Sequence, residues 1–228
     1  MSLFTMITGA VSAIGAFITK AAPVVGKVVT SFAEGAIKVL SKISPEAVET
    51  VSHIVHGVAE IVGVKTEENP ETLGAKAIQE ENDKKMEDFD NNANEYISYL
   101  KNEVELDKEK FENFSKEEID GCRTIGMTLE TKAVEEKIGG ISVTPECLGV
   151  LAKLDKEGIN IDAKELVSII QVLKEEGITN LNDVVDVLEG KGESDRIKTG
   201  KALDKALGEN ADEKIDEMKD AARKYEED

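Results

Sequence analysis

The only two histidines of the chain, His53 and His56, lie in one run with Glu49 and Glu60. Steps of four, three and four place all four on one face of a helix. Imidazole and carboxylate together make a ligand set that zinc and other transition ions accept. The same four residues are also what a solvated helix face looks like, opposite an apolar stripe of Val51, Val55, Val58 and Val62. From the first to the last of them such a helix rises about 16 Å, so one ion reaches only a neighbouring pair and needs ligands from elsewhere. The solvated face is therefore the expectation, and no metal or cofactor is assigned. Glu49, His53, His56 and Glu60 are kept as the metal candidates to check.

Three further stretches suggest chemistry by composition and fail on spacing. Leu154 to Leu166 ends like a calcium loop, but with Glu165 at the twelfth position Ile159 stands where the turn wants Gly. Leu154 then stands where the first ligand should be Asp. Asp162 as a helix N-cap explains the same residues. Gly192 to Lys201 resembles a phosphate loop, yet its second Gly is wrongly spaced and Ala202 follows Lys201 where Ser or Thr is needed. Cys122 and Cys147 are not in CxxC form, and Cys122 falls on an apolar face as a small core residue. Carboxylate pairs abound, but 47 Asp+Glu produce such pairs without any selection for acid–base work. No catalytic signature emerges, and the chain is read as a non-enzyme.

The elements that hold these residues read as helices. Phe4, Ile7, Val11, Ile14 and Ile18 recur at three- and four-residue steps. A second stripe one position on, of Thr5, Thr8, Ser12 and Thr19 with Gly15, is small and weakly polar. Small stripes let helices approach closely. Pro23 predicts an end or kink near Ala21. Val25, Val28, Phe32, Ala36 and Leu40 form the next stripe, with an extended segment over Pro23 to Thr30 as the alternative. Ser44-Pro45 is a helix start. Helices are thus expected near 3–21, 24–41 and 45–63. Further starts follow at Pro70, at the capping box Ser115/Glu118, at Thr144-Pro145, Asp162, Asn182, Ser194 and Asn210. Glu157-Gly158-Ile159 and Glu176-Gly177-Ile178 repeat as two helix ends. The expected fold is all-α: an N-terminal apolar three-helix segment followed by an acidic multi-helix bundle of short helices.

Charge divides the chain more sharply than length does. The formal net charge is -19, with 28 Lys+Arg against 47 Asp+Glu. Met1 to Val64 is neutral, with four Lys and four Glu, so the rest carries the whole excess. The acidic balance argues against a phosphate-tracking nucleic-acid binder. Two Cys and four Pro exclude a disulfide scaffold and a Pro-rich stalk. The domain reading is a docking segment over 1–64, a linker over 65–70, a helical region over 71–140 and an acidic short-helix region over 141–228.

The first 19 residues contain no charge. A secretory signal wants a basic start, which is missing before Leu3. A membrane span wants about 20 mostly apolar residues, and here Ser and Thr dilute them. A helix that packs on other helices fits the spacing. The functional expectation is a structural or interaction protein whose apolar N-terminal helices dock into a multi-chain assembly or onto a partner protein. The docking residues would be Phe4, Ile7, Val11, Ile14, Phe17, Ile18, Val25, Val28 and Phe32. The alternative is a membrane-active protein that lays or inserts those helices in a bilayer. A cytoplasmic location is expected, with membrane association or signal-independent export as the variants.

Overall fold

Side-chain caps start several helices where the sequence puts them. The computed structural model describes residues 3–44, 46–66, 68–79, 83–191 and 196–224, with side chains from residue 9 onward. The helices are α1 (Leu3–Val25), α2 (Lys27–Leu40), α3 (Ala47–Ile61), α4 (Pro70–Ile78), α5 (Ala93–Glu103), α6 (Lys108–Glu112), α7 (Lys116–Ile138), α8 (Pro145–Lys156), α9 (Ala163–Glu175), α10 (Asn182–Glu189), α11 (Arg196–Leu207) and α12 (Ala211–Arg223), with a 3-10 turn over Met86–Phe89. Asn69, Ser115 and Asp162 each accept a hydrogen bond from the backbone N–H three residues on, the N-cap geometry their types favour. Glu118 returns the bond to the Ser115 N–H at 2.8 Å, which completes the capping box. Gly158 and Gly177 both sit at positive φ, 81° and 73°, and Ile159 and Ile178 donate back to Leu154 and Leu173. The repeated Glu-Gly-Ile is thus a repeated helix stop. The expected start at Ser194 lies outside the described residues. No strand occurs among the described residues; Ser142 and Asn180 make an isolated parallel bridge. The fold is all-α.

Pro23 does not end the first helix, as its position predicts. It removes one backbone donor, but the Gly26 N–H still reaches the Ala22 carbonyl at 3.1 Å, and the chain turns only at Gly26. There the Glu87 carboxylate, from the 3-10 turn, accepts from the Lys27 N–H at 2.6 Å. An acid at the first turn of α2 complements the orphan donors and the dipole of that helix.

The apolar stripes of the front close on the chain's own later helices. Ile14, Ile18, Val25, Val29, Phe32, Leu40, Val51, Val55 and Val58 share one core with Leu73, Tyr96, Leu100, Ile125, Leu129 and Ala133. Leu148, Ala152 and Val167 join the same core. Residues 65–70 therefore separate two helices but not two cores. A second core runs from Ile141 to Ala222 and is built from α8 to α12. Ile138, Val143 and Leu166 pack against both. Burying each such Val, Leu or Ile contributes about 1.5–3 kcal/mol.

The centre of the first core is α7, which touches α1, α2, α3, α4 and α5. Its periodicity predicts one apolar face, Ile119, Cys122, Gly126, Leu129 and Ala133. Instead it is buried all round over Gly121–Val134, apart from the half-buried Arg123 and Lys132. Its hydroxyls make this tolerable. Thr124, Thr128 and Thr131 each donate to a carbonyl one turn back, at 2.7, 2.8 and 2.8 Å, so they enter the core already satisfied. Two glycines let α4 lie directly on α7. A Cβ at Gly74 would stand 1.9 Å from the Cys122 carbonyl oxygen, and one at Gly126 would stand 1.9 Å from that of Pro70.

Two alanine substitutions separate close approach from helix propensity. Gly126→Ala is expected to lose about 1–3 kcal/mol through overpacking against the Pro70 backbone. Gly200→Ala in α11, where a Cβ meets nothing within 4 Å, is expected to gain about 0.5–1 kcal/mol. Urea midpoints at unchanged slope are the measurement. Equal shifts in both variants would contradict the α4–α7 contact.

Candidate functional site

The seam between α3 and α7 holds the chain's most unusual polar group. Glu130 of α7 has a fully buried side chain, 0% exposed. Its Oε1 accepts from His56 Nδ1 of α3 at 2.7 Å and from the Thr66 hydroxyl at 3.0 Å. Its Oε2 is buried with no hydrogen-bond partner among the described residues. The other ring nitrogen, His56 Nε2, lies 3.9 Å from Glu60 on the same helix. The hydrogen bond from Glu130, more than compensating the burial, holds the His56 pKa above its ordinary 6.5. Burial pushes the Glu130 carboxyl above its ordinary 4.5, against the pull of His56 and Thr66.

The four metal candidates divide between the surface and the seam. Glu49, His53 and Glu60 are exposed on the outer face of α3, and His56 alone turns into the seam. Among the described residues no group of three or more His, Cys, Asp or Glu is placed to hold a metal ion. His56 Nδ1 is bonded to Glu130, and Nε2 points toward Glu60 at 3.9 Å. Asp162 caps α9, and the calcium-like tail is thereby accounted for. Both thiols are poor nucleophiles: burial raises Cys122 far above its ordinary value and raises Cys147 as well. Cys147 contacts Thr144 and Asn182, and among the described residues neither thiol bonds a histidine. His56 and Glu130 resemble the orienting half of a catalytic pair, but the hydroxyl that meets them, Thr66, donates to the carboxylate rather than to the imidazole.

The concave features are of two kinds. The second core encloses an apolar cavity of about 70 Å³ among Val150, Leu154, Ile169, Leu173, Val185 and Leu188. Its walls carry no charged group to orient a ligand. An open cleft of about 620 Å³ between α10, α11 and α12 brings Arg196, Lys219 and Arg223 beside Asp204, Asp212 and Asp216. Lys219 is bound to Asp216 at 2.9 Å, and Arg196 is bound to the carbonyls of Gly190 and Lys191. The cleft thus carries both signs of charge, part of it already bonded within the chain.

The chain matches no protein-family model, no curated protein and no solved structure. The function must therefore be argued from the residues alone.

The expected docking residues divide. Ile14, Ile18, Val25 and Phe32 are buried in the first core, at 6, 0, 0 and 8% exposure, and so leave the docking set. Their stripe is filled by α7 and its neighbours. Val11 and Phe17 are half-buried, and Phe17 stacks edge-on against Phe114 at 6.1 Å. Val28 is exposed at 42%. The side chains of Phe4 and Ile7 lie outside the described residues. Glu130 was not legible as a site residue, although one signal pointed to it. It is the only charged residue between Thr124 and Thr131, inside an otherwise uncharged helical run. Lone acids in such runs are buried at a cost unless a partner reaches them.

Thiol chemistry gives a direct check on this reading of the cysteines. In the native protein at about pH 8, Cys122 and Cys147 are expected to react with a soluble disulfide reagent at least tenfold more slowly than after unfolding in urea. Free-thiol rates in the folded chain would contradict it.

Proposed function

We propose that the chain is a non-catalytic structural or interaction protein that docks into a multi-chain assembly, or onto a protein partner, through the outward face of α1. One observation carries this. Leu3 to Ala13 has no charged residue, and none of Gly9, Ala10, Val11, Ser12 and Ala13 is buried. Among residues 9–25 of α1, the core takes in the helix from Ile14 onward. Over residues 9–13, about one turn of uncharged helix therefore runs where the body of the chain does not bury it.

Gly9, Ser12, Ala13 and Ala16 are exposed at helical spacing and uncharged, and the charged Lys20 follows one turn on. Small side chains let a second helix approach until backbones nearly touch, and the dispersion gained grows with that closeness. The acidic remainder keeps a net charge that resists unspecific association elsewhere on the surface. Among the described residues no helix is long and apolar enough to cross a membrane. The absence of a placed nucleophile beside His56 and the raised thiols support the non-catalytic part of the reading.

Substitution on the exposed face tests this without touching the core. Light scattering of the full chain is expected to give a mass above the 24.7 kDa of one copy. The double variant Ala13→Glu/Ala16→Glu is expected to return that mass to one copy at unchanged helical circular dichroism. A single-copy mass for both proteins would refute the assembly. Flotation of the parent with liposomes, lost in the double variant, would reassign the face to a lipid surface.

A further inference from the structure

We propose that His56 and Glu130 form a proton-operated latch: charged His56 ties α3 and the Thr66 segment to α7, and loss of its proton loosens that seam. The inference rests on the seam's geometry and is independent of what docks on α1.

The geometry leaves Glu130 with one full-time support. A hydroxyl has a single proton, and that of Thr66 is contested by two acceptors, Glu130 Oε1 at 3.0 Å and the Glu68 carbonyl at 2.9 Å. Oε2 has no donor among the described residues. The remaining donor is His56 Nδ1 at 2.7 Å, and in its charged form it is also the counter-ion. Neutral His56 could still donate from Nδ1. It would no longer compensate a carboxylate held entirely out of water, which is where an uncompensated charge is least tolerated.

The neighbouring charges reinforce the dependence on that one proton. The groups acting electrostatically on His56 are all acids: Glu130 from α7, Glu60 from α3 and Glu71 from α4. On Glu130 they are His56 and Glu60. The nearby cations are committed. Arg123 of α7 lies 2.6 Å from Asp120 and 3.6 Å from Glu71, and Lys76 of α4 lies 2.7 Å from Glu68. From α9 the seam's neighbour is the apolar Ala163, set against Gly57. Protonated His56 thus stands between two carboxylates, one buried and one exposed, and among the described residues no other cation pairs with Glu130.

The sign of the pH dependence follows. The folded state holds the His56 proton more tightly than the ordinary value of 6.5. That contribution is complete below 6.5 and is lost as pH rises through the raised folded value. The shift of Glu130 has the same sign, since its proton too is held above the ordinary 4.5. The seam therefore tightens toward acid and loosens toward alkali. The chain has only two histidines, and both thiols are raised, so few other side chains change charge over about pH 6 to 9.

The test uses the full chain. In a His53→Gln background, where His56 is the sole histidine, its NMR titration is expected to have a midpoint above 6.5. Hydrogen exchange of peptides covering 56–66 and 124–131, corrected for the intrinsic pH dependence, should accelerate by about threefold or more as pH passes that midpoint. In Glu130→Gln the histidine midpoint should fall and the exchange step should disappear. His56→Gln should show no step. A His56 midpoint at or below 6.5, or an exchange step that persists in Glu130→Gln, would overturn the latch. The titration in the His53→Gln protein decides the matter even where a seam variant fails to fold.

Discussion

Helix α7 must be admitted to the interior on every side, and the rest of the molecule follows from how that is achieved. The chain has no Trp, and its aromatics are only 4% of residues. Large side chains cannot fill the space between helices, so backbones have to come close instead. Glycines at positions 74 and 126 allow this between α4 and α7, and Gly121 receives the ring of Phe17 from α1. Such contacts replace a few large knobs by many short-range ones, and their density sets the dispersion energy. The cost is that α7 carries groups with hydrogen-bonding needs into a dry place. Three threonines meet that need within their own helix, and Glu130 meets it across the seam.

The local signals of the fold were legible because they act over a few residues. Asn69, Ser115 and Asp162 start helices by chemistry that depends only on their own backbone neighbours. Gly158 and Gly177 stop them in the same way. The path through Pro23 was not legible. A proline costs a helix one bond and some strain, and whether the helix continues depends on packing beyond it: Ile18, Ala21 and Val25 are all buried on the far side and on the near side of that position. The full burial of α7 was hidden for a related reason. Thr and Gly read as neutral in any apolar pattern, so a helix that is small and hydroxyl-rich all round resembles one with a single apolar face. The site was half legible. His56 was singled out by type, but its partner lies 74 residues on, and no spacing rule spans that distance.

The charge pattern acquires a physical cause once α7 is in place. The front is neutral because three of its helices line the same interior, where unpaired charge is expensive. Its few charged residues, among them Lys27, Glu34, Lys38, Glu49 and Glu60, face outward. The acidic excess is spread over helices that have one buried and one solvated side, such as α12, where Ile215, Met218 and Ala222 are inside and Asp212, Glu213, Asp216 and Glu217 are outside. Some ion pairs there, such as Lys205 with Glu176 at 2.7 Å, are exposed and contribute little to stability, whereas Lys153 with Glu189 at 2.7 Å is largely buried. At the α3–α7 seam a histidine and a fully buried carboxylate meet, and there the state of charge matters.

Apolar composition alone does not tell a helix which neighbour will cover it. The hydrophobic effect rewards removal of area from water and is indifferent to whether the covering surface belongs to the same chain. An uncharged opening of 19 residues therefore fits equally a helix sealed within its own molecule and one sealed by another. The boundary at Ile14 divides the two cases inside a single element. Past it, α1 meets α2, α4 and α7 and is consumed by the chain's own core. Just before it, Gly9, Ser12 and Ala13 are exposed and uncharged, although a charged residue there would cost the helix little. The exposed, uncharged face at Gly9, Ser12 and Ala13 is the surface that the proposed docking would cover.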